Sequence, residues 1–239
     1  THIAEAKRSP VQLLESGPAA GALVAAHFGS KAGVDNVLAF DMGGTTAKLA
    51  LVDEGEPHVD YHFEAAREKR FAEGSGLPLN ISAIKLIEIG AGGGSIAHID
   101  DMELLKVGPQ SAGSEPGPVC YGRGGSAPTV TDADLLLGFL NADYFAGGSM
   151  KIDRDAAQQA MQPLADRSGL SVVDVARGIY DVVNENMASA ARVHIAEQGK
   201  DPRQYTLLAT GGAGPVHAYY VAKKLGVRRL ICPLAAGVA

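Results

Sequence analysis

The sequence predicts an α/β fold whose central sheet is mixed, with antiparallel hairpins early in the chain and parallel βαβ units later. Two apolar, β-prone runs over 36–41 and 47–52 flank a glycine-rich turn, which is typical of a hairpin. Residues 205–232 read as a buried strand, a glycine-rich turn, a helix and a last strand, which is the βαβ pattern. Between these regions, residues 153–198 carry apolar side chains at the three- and four-residue spacing of helices.

The first half of the chain supplies one helix and most of the antiparallel strands. Residues 19–27 are rich in alanine at helical spacing, and a helix with so little charge is expected to pack closely against a neighbour. Residues 64–79 carry mixed charges and glycines, which indicates a solvated excursion. Further strands are expected over 59–63, 81–89, 96–99 and 103–107.

The second half begins with an irregular segment and continues with helices. Residues 108–125 are dominated by Gly, Pro and Ser, and long irregular segments inside compact domains are more often functional than idle. Thr131 or Asp132 can cap a helix over 133–140. The order β-β-β-α-β-α-β matches a ribonuclease-H-like domain, the half-unit of the actin and sugar-kinase ATPases. We therefore interpret residues 1–239 as one such half-domain, with insertions over 64–80 and 108–170.

Composition excludes several classes of function. The net charge is −6 with no run of basic residues, which argues against a nucleic-acid surface. No apolar stretch approaches the roughly 20 residues that span a bilayer, and no signal-peptide pattern opens the chain. Cys120 and Cys232 lack metal-ligand spacing and are expected to be buried thiols in a reducing, cytoplasmic setting. The small apolar residues at 237–239 and the missing initial methionine suggest part of a longer polypeptide.

The turn that follows Asp41 has the chemistry of a phosphate and magnesium site. Glycines let a backbone approach an anion closely, and threonine hydroxyls add donors. An aspartate at the end of a strand can hold a cation or orient a water molecule. The pattern is not a P-loop, and the same residues also suit an ordinary Gly-Gly hairpin. The turn comprises Gly43, Gly44, Thr45 and Thr46.

A second glycine-rich turn, over 210–215, lies between a strand and a helix. Ligands of open α/β sheets bind at the carboxyl ends of strands, and helix N-termini attract anions. The alternative is that Gly211, Gly212 and Gly214 only allow close packing of the helix on the strand. A glycine-rich hairpin that begins at an aspartate, followed much later by such a turn, is more specific for a nucleotide site than either turn alone.

The chain resembles the hydantoinase A, 5-oxoprolinase and acetone carboxylase group of the actin-like ATPase superfamily over nearly its whole length. Six sequence blocks in the same order carry the resemblance. They are Ser-Gly-Pro-Ala-Ala-Gly at 16–21, Phe-Asp-Met-Gly-Gly-Thr-Thr at 40–46, Ile-Gly-Ala-Gly-Gly-Gly-Ser at 89–95, Pro-Gly-Pro-Val-Cys-Tyr-Gly-Arg-Gly-Gly at 116–125, Pro-Thr-Val-Thr-Asp-Ala at 128–133 and Ala-Thr-Gly-Gly-Ala-Gly-Pro at 209–215.

The resemblance implies an enzyme that uses ATP and Mg²⁺ to activate a stable carbonyl. In oxoprolinases and hydantoinases of this group the substrate is a cyclic amide, which is our first expectation here. The resemblance implies that Asp41 holds Mg²⁺ through water or orients the attacking oxygen. It implies phosphate contacts for Gly43, Gly44, Thr45 and Thr46, and nucleotide contacts for Gly211, Gly212, Ala213 and Gly214.

Two alternatives to a cyclic amide hydrolase stay open. One is the ATP-binding subunit of an acetone-type ketone carboxylase, and the other is a non-catalytic interaction domain. For the enzyme, the resemblance implies a hydantoinase B-type subunit or fused domain as partner.

Two departures from the family pattern limit what the resemblance implies. Some relatives have an acidic residue where this hairpin has Lys48, which leaves Ala47 and Lys48 without a role. Relatives also carry another Asp-Gly-Gly-Thr hairpin in an N-terminal half, which this chain lacks. The chain would then supply one wall of a nucleotide cleft, and alone it should bind ATP poorly and show no turnover.

Several other residues are candidates for a substrate or phosphate contact. They are Gly92, Gly93, Gly94, Arg123 and Asp132, and for Asp132 helix capping is the stronger alternative. His217 follows the second glycine-rich turn and is a candidate for a ligand contact, although a structural role is favoured. His194 lies on an apolar helix face and is expected in the core.

Overall fold

The computed structural model describes residues 2–14, 16–61, 63–65, 76–79, 81–234 and 236–237. The α-helices in these ranges are α1 (Ile3–Arg8), α2 (Ser16–Lys31), α3 (Val130–Leu136), α4 (Arg154–Ser168), α5 (Val172–Glu197) and α6 (Gly214–Leu225). The strands are β1 (Val37–Met42), β2 (Ala47–Asp53), β3 (Glu56–Pro57), β4 (Val59–Asp60), β5 (Phe63–Ala65), β6 (Leu77–Leu79), β7 (Ala83–Ile84), β8 (Leu86–Ile89), β9 (Ser95–Ile99), β10 (Leu105–Ser111), β11 (Thr206–Thr210) and β12 (Arg229–Ile231). Short 3-10 helices cover Pro10–Leu13, Val119–Tyr121, Ala146–Gly148 and Pro202–Gln204.

The central sheet is mixed, as the sequence predicts. Its strand order is β12-β11-β1-β2-β3, and β8 also pairs with β2. Strands β12, β11 and β1 are parallel, whereas β2 is antiparallel to β1, β3 and β8. The hairpin β1–β2 and the βαβ unit β11–α6–β12 are both confirmed. Because β1 and β11 run in the same direction, their carboxyl ends meet at one edge of the sheet.

Each face of the sheet is covered by helices, because side chains alternate between the faces along a strand. On β1, Leu38 and Phe40 belong to the large core cluster that includes residues of α3, α4, α5 and α6. Val37 and Ala39 point to the other face, where they pack with Ala22 and Ala25 of α2. The alanine-rich α2 therefore packs closely on the sheet, as expected. Within the described ranges, no helix is long and apolar enough to cross a membrane.

The expected strand over 59–63 does not extend the central sheet as one strand, because it is divided between β4 and the start of β5. The short strand that pairs with the end of β2 comes before it and is β3, in which Pro57 faces Val52. The following residues leave the sheet, and β4 pairs with β7 instead. The reason is that β8 already occupies this edge of β2, where Ala50 faces Leu86.

The two expected insertions remain predictions, but the structure describes parts of both. In the first, over 64–80, residues 66–75 and 80 lie outside the described residues, and β5 pairs with β6 on either side of them. The second, over 108–170, contains α3, all of whose residues are buried. An insertion at this place would thus contribute directly to the core.

The two cysteines differ in environment, and this corrects one expectation. Cys120 is buried, and burial together with the nearby Asp132 carboxylate raises the pKa of its thiol. Cys232 is exposed.

A polar cluster ties the end of β2 to the start of β11, at the opposite end of the sheet from Asp41. The Asp53 carboxylate accepts hydrogen bonds from the Tyr205 hydroxyl and His58 Nε2, the latter at 2.8 Å, and it forms an ion pair with Lys200. Burial acts to raise the pKa of Asp53, but the bonds from Lys200, Tyr205 and His58 outweigh it and lower the pKa. The charged carboxylate therefore stabilises the folded state.

We expect Asp53→Asn to lower the free energy of unfolding at pH 7 by about 1–2 kcal/mol. Since the pKa of Asp53 is lower in the folded state, its stabilisation is complete above the unfolded pKa of about 3.9. That stabilisation is lost as the pH falls through the folded value, so the difference between the two proteins should shrink at low pH. Denaturant unfolding at pH 7 and below pH 4 measures it, with the exposed Asp101→Asn as control. A difference that does not change with pH would contradict the assignment.

Candidate functional site

The candidate site lies at the carboxyl ends of β1 and β11, where Asp41 and Thr210 are neighbours in the parallel ladder. Asp41 is partly buried, and it lines a small cleft between the sheet and the first turns of α2. Lys48 and Thr210 line the same cleft from the sheet, and Pro18 and Gly21 line it from the helix. The cleft therefore brings the Asp41 and Lys48 pair of the hairpin together with Thr210, which is distant in sequence.

The tip of the β1–β2 hairpin presents polar groups to the outside. The amide of Gly43 closes the turn by donating to the carbonyl oxygen of Thr46 at 3.1 Å. Gly44 and Thr45 are exposed. Among the described residues, no acceptor takes the backbone N–H groups of Gly44 and Thr45. Exposed amides and hydroxyls around a glycine pair are the donors that a phosphate group needs.

The second glycine-rich turn packs directly against this hairpin. The Ala213 amide donates to the Met42 carbonyl oxygen at 2.9 Å. A Cβ on Gly211, whose φ is +83°, would overlap the Met42 carbonyl oxygen and Asp41 Oδ1. Gly212 is exposed beside them, and α6 begins at Gly214 without a side-chain cap. The positive end of the α6 dipole thus lies beside the hairpin that carries Asp41.

The glycine cluster over 90–95 supports the hairpin, and its residues 91–95 are buried. The amides of Gly93 and Gly94 donate to the carbonyl oxygens of Gly43 and Gly44 at 3.0 and 2.6 Å. A Cβ on Gly92 would come within 2.7 Å of the Gly44 backbone. We therefore propose that Gly92, Gly93 and Gly94 hold the hairpin in place, and the ligand contact for which they were candidates stays a prediction.

Thr131 joins α3 to this arrangement, a role that the sequence did not reveal. Its amide and its hydroxyl both donate to the Gly93 carbonyl oxygen, at 2.7 and 2.8 Å. The first residues of α3 therefore hold the glycine cluster by hydrogen bonds, and the glycine cluster holds the hairpin in the same manner. Thr131 was expected only as a candidate cap, and its position after a glycine and proline segment gave no further signal.

Asp132 has the structural role that was its stronger alternative. It is fully buried and forms a capping box with Thr129, which begins α3 three residues earlier than expected. Its carboxylate accepts bonds from the amides of Cys120 and Thr129 and from the Thr129 hydroxyl, at 2.8, 2.9 and 2.7 Å. The amide of Val119 is a further donor at 3.2 Å. With these donors in place the Asp132 carboxylate is enclosed, and we propose a capping role for it rather than a ligand contact.

Asp132→Ala should lower the free energy of unfolding by about 2–4 kcal/mol, because it leaves buried amides without an acceptor. The affinity of the folded protein for ATP should change less than threefold. Denaturant unfolding and nucleotide titration measure the two effects, and Asp155→Ala in the exposed first turn of α4 is the control. Loss of ATP affinity at unchanged stability would return Asp132 to the ligand-contacting residues.

Two further candidates make their described side-chain contacts outside the hairpin tip and the turn at 211–214. Arg123 is exposed, and its guanidinium contacts Met150 Sδ at 3.9 Å. No hydrogen bond within the described part of the chain joins Arg123 to the three glycine-rich turns. His217 is fully buried, in agreement with the structural role that was favoured for it. Its ring bonds Asn184 Oδ1 and Asp134 Oδ2, each at 3.1 Å.

His194 is buried, as expected for a core histidine. Burial, assisted by the positive charges of Lys85 and His58, lowers the pKa of His194 to about 4. Its ring nitrogen Nε2 lies 2.9 Å from Gln198 Nε2 and so acts as the acceptor. A histidine in this environment stays neutral at pH 7 and has no role in the candidate site.

The site combines the carboxylate of Asp41 at the end of β1, free backbone donors and a helix N-terminus at one edge of the sheet. Asp41 accepts no hydrogen bond from another described residue, so its carboxylate is available to a hydrated cation. The donors of the hairpin tip and of α6 suit the oxygen atoms of a phosphate group. This donor set fits a magnesium-bound nucleotide.

Comparisons with known proteins identify the relatives of this chain. The family model described as hydantoinase/oxoprolinase matches residues 1–239. An uncharacterised protein of Methanocaldococcus jannaschii is 42% identical over 241 residues, which is 100% of this chain and 35% of that protein. Caprolactamase subunit alpha of Pseudomonas jessenii is 40% identical over 228 residues, which is 93% of this chain and 31% of that protein. The chain thus spans about a third of the length of these relatives.

Two solved structures have the same fold. The nucleotide-free structure of acetone carboxylase superposes with a TM-score of 0.81 at 33% identity, over 93% of this chain and 30% of that one. The ATP-dependent caprolactamase of Pseudomonas jessenii superposes with a TM-score of 0.78 at 39% identity, over 92% of this chain and 31% of that one. These matches confirm the predicted ribonuclease-H-like fold of the actin-like ATPases. With the family model matched from end to end, the chain belongs to the hydantoinase/oxoprolinase family.

Proposed function

We propose that this chain is one nucleotide-binding half of an ATP-dependent hydrolase that opens a cyclic amide. The observation that carries the proposal is the packing of the turn at 211–214 against the hairpin that begins at Asp41, with Ala213 bonded to Met42. This packing puts a carboxylate, free amides and a helix N-terminus at a single edge of the sheet. Similarity to an ATP-dependent caprolactamase, whose name denotes a cyclic amide, supports the choice of substrate class.

In this proposal the chain's own residues mainly bind and orient. Asp41 holds a hydrated Mg²⁺ or orients the attacking oxygen. The amides of Gly44 and Thr45 and the hydroxyls of Thr45 and Thr46 donate to phosphate oxygens, while Gly43, whose amide bonds the Thr46 carbonyl oxygen, lets the backbone approach them. Gly211, Gly212, Ala213 and Gly214 border the nucleotide, and a side chain at 211 would overlap the Met42 backbone and the Asp41 carboxylate. Mg-ATP, when bound, supplies the phosphoryl group that activates an unreactive carbonyl. Catalysis then comes from positioning and charge neutralisation.

A second half and a partner complete the proposed enzyme. Because the chain spans about a third of the length of its relatives, we propose that another segment supplies the opposite wall of the cleft. A hydantoinase B-type subunit or domain is the proposed partner. The chain alone should therefore bind ATP poorly and show no turnover.

The second candidate function is the ATP-binding subunit of a ketone carboxylase. The superposition on acetone carboxylase favours it, since the fold and the level of identity are close to those of the caprolactamase match. Both candidates use the same nucleotide site and differ in the acceptor of the phosphoryl group. A non-catalytic interaction domain is the third, in which the glycine-rich turns serve packing alone.

Phosphate release by the full-length protein with its partner subunit separates these candidates. Substrates to compare are 5-oxoproline, hydantoin and caprolactam on one side, and acetone with bicarbonate on the other. We expect release to be stimulated by a cyclic amide. Stimulation only by the ketone with bicarbonate would establish the ketone carboxylase subunit. If calorimetry detects no binding of Mg-ATP, the non-catalytic interaction domain is the function that stays in agreement with the data.

A further inference from the structure

Lys48 is held in a defined position at the base of the hairpin. It lies on β2, opposite Asp41 on β1 and opposite Glu88 on β8. Its ammonium group donates to Thr46 Oγ1 at 2.8 Å and pairs with Glu88 Oε1 at 3.2 Å. Its side chain is only 24% exposed, and it lines the cleft that also contains Asp41. With two defined partners for its ammonium group, Lys48 differs from a solvated surface lysine.

The bond between Lys48 and Thr46 fixes the direction of a proton. An ammonium group has three donors and no acceptor, so Thr46 Oγ1 must be the acceptor in this bond. The single hydroxyl proton of Thr46 then points away from Lys48 and is free to be donated elsewhere. A hydroxyl that accepts a bond from a cation is also polarised, which makes it a stronger donor. Such a group is suited to a phosphate oxygen.

The charges around the cleft are consistent with this role. Glu88 balances the charge of Lys48, and the ammonium group is directed to Thr46 and Glu88 rather than to Asp41. Asp41 therefore keeps its negative charge for a cation, while Thr46 is prepared as a donor for an anion. The contacts of Lys48 thus leave Asp41 available to a cation and the Thr46 hydroxyl available to a phosphate oxygen.

We propose that Lys48 is a positioning residue that sets the Thr46 hydroxyl as a hydrogen-bond donor to a nucleotide phosphate group. The inference rests on the proposed function, because it assumes that the hairpin receives phosphate. It assigns a role to the residue at which this hairpin departs from some relatives.

A double-mutant cycle on the full-length protein tests the proposal, with the dissociation constant for Mg-ATP measured by calorimetry. Thr46→Val and Lys48→Met should each weaken binding about tenfold, as expected for one hydrogen bond to a charged group. In the Thr46→Val protein, Lys48→Met should add less than a threefold loss, because the hydroxyl through which it acts is gone. Lys48→Arg should stay within about threefold of the parent, since a guanidinium group is also a donor only.

A control variant tests whether the loss of ATP affinity is specific to Lys48. Lys106→Met removes another strand lysine that pairs with an aspartate, Asp100 at 3.7 Å, outside the cleft, and it should leave binding unchanged. Additive losses in the double mutant, or full affinity in Lys48→Met, would overturn the role of Lys48 while ATP binding stands. If the parent protein does not bind Mg-ATP, the proposed function fails instead.

A second comparison does not depend on the folding of Lys48→Met. With Lys48 in place, Thr46→Ser keeps a hydroxyl and should bind Mg-ATP within about threefold of the parent, whereas Thr46→Val should lose about tenfold. Equal affinities for these two variants would also overturn the proposal.

Discussion

Asp41→Asn in the full-length protein is expected to lower ATP turnover at saturating substrate by at least about 100-fold. The change keeps the shape of the side chain and removes the negative charge, which is the property that a hydrated Mg²⁺ needs. Losing one well-placed polar group in an active site commonly costs about two to three orders of magnitude in rate. The concentration of Mg²⁺ needed for half-maximal turnover should also rise, because the cation loses a ligand or the acceptor of a hydrogen bond from one of its bound waters.

The matched control for Asp41→Asn is Asp35→Asn. Asp35 is exposed just before β1, at the opposite end of the strand, so the same chemical change is made away from the site. It should leave turnover and Mg²⁺ dependence unaltered. If Asp41→Asn retains turnover within threefold of the parent, the hairpin is not a magnesium site.

The second large effect is expected from Gly211→Ala, which should lower the free energy of unfolding by roughly 2–6 kcal/mol. About 1–3 kcal/mol comes from placing a side chain at a φ of +83°. A further 1–3 kcal/mol or so comes from overlap with the Met42 backbone, which must move. Since the Met42 carbonyl oxygen anchors Ala213, the same movement should separate the turn from the hairpin and weaken ATP binding at least tenfold.

Gly138→Ala isolates the steric part of this effect. Gly138 has the same φ of +83°, but no atom lies within 4 Å of the position of its Cβ. It should therefore lose only the conformational part and keep full affinity for ATP. Thermal unfolding and nucleotide titration of the two variants measure the difference. Equal losses in both would show that close packing at position 211 does not matter.

Much of the fold could be predicted because its signals are local. The hairpin over β1 and β2, the hairpin over β9 and β10 and the βαβ unit all follow from alternation, glycine-rich turns and helical spacing. The divided strand after Asp53 could not be predicted, because it depends on which distant strand occupies the edge of β2. The start of α3 is set by a capping box between Thr129 and Asp132. A single cap at Thr131 or Asp132, as expected from the sequence, placed the start of the helix too late.

The site residues, too, could be predicted where their signals are local in sequence and not where they depend on distant contacts. Asp41 and the two turns could be found because glycine and acid patterns are contiguous in sequence. The burial of Gly92–Gly94 and of His217 depends on packing across the sheet, which their positions in the sequence do not reveal. Thr210 could have been found from the parallel register that places it beside Asp41, once β1 and β11 are taken as neighbours. The bond from Lys48 to Thr46 needed coordinates.

The most direct measurement of the central claim is a structure of the full-length protein with Mg²⁺ and a non-hydrolysable ATP analogue. We predict phosphate oxygens within hydrogen-bond distance of the hairpin tip at 43–46, the Mg²⁺ ion bound to Asp41 directly or through water, and the nucleoside beside the turn at 211–214. An analogue bound elsewhere, with the hairpin tip and the α6 N-terminus facing bulk solvent, would contradict this prediction.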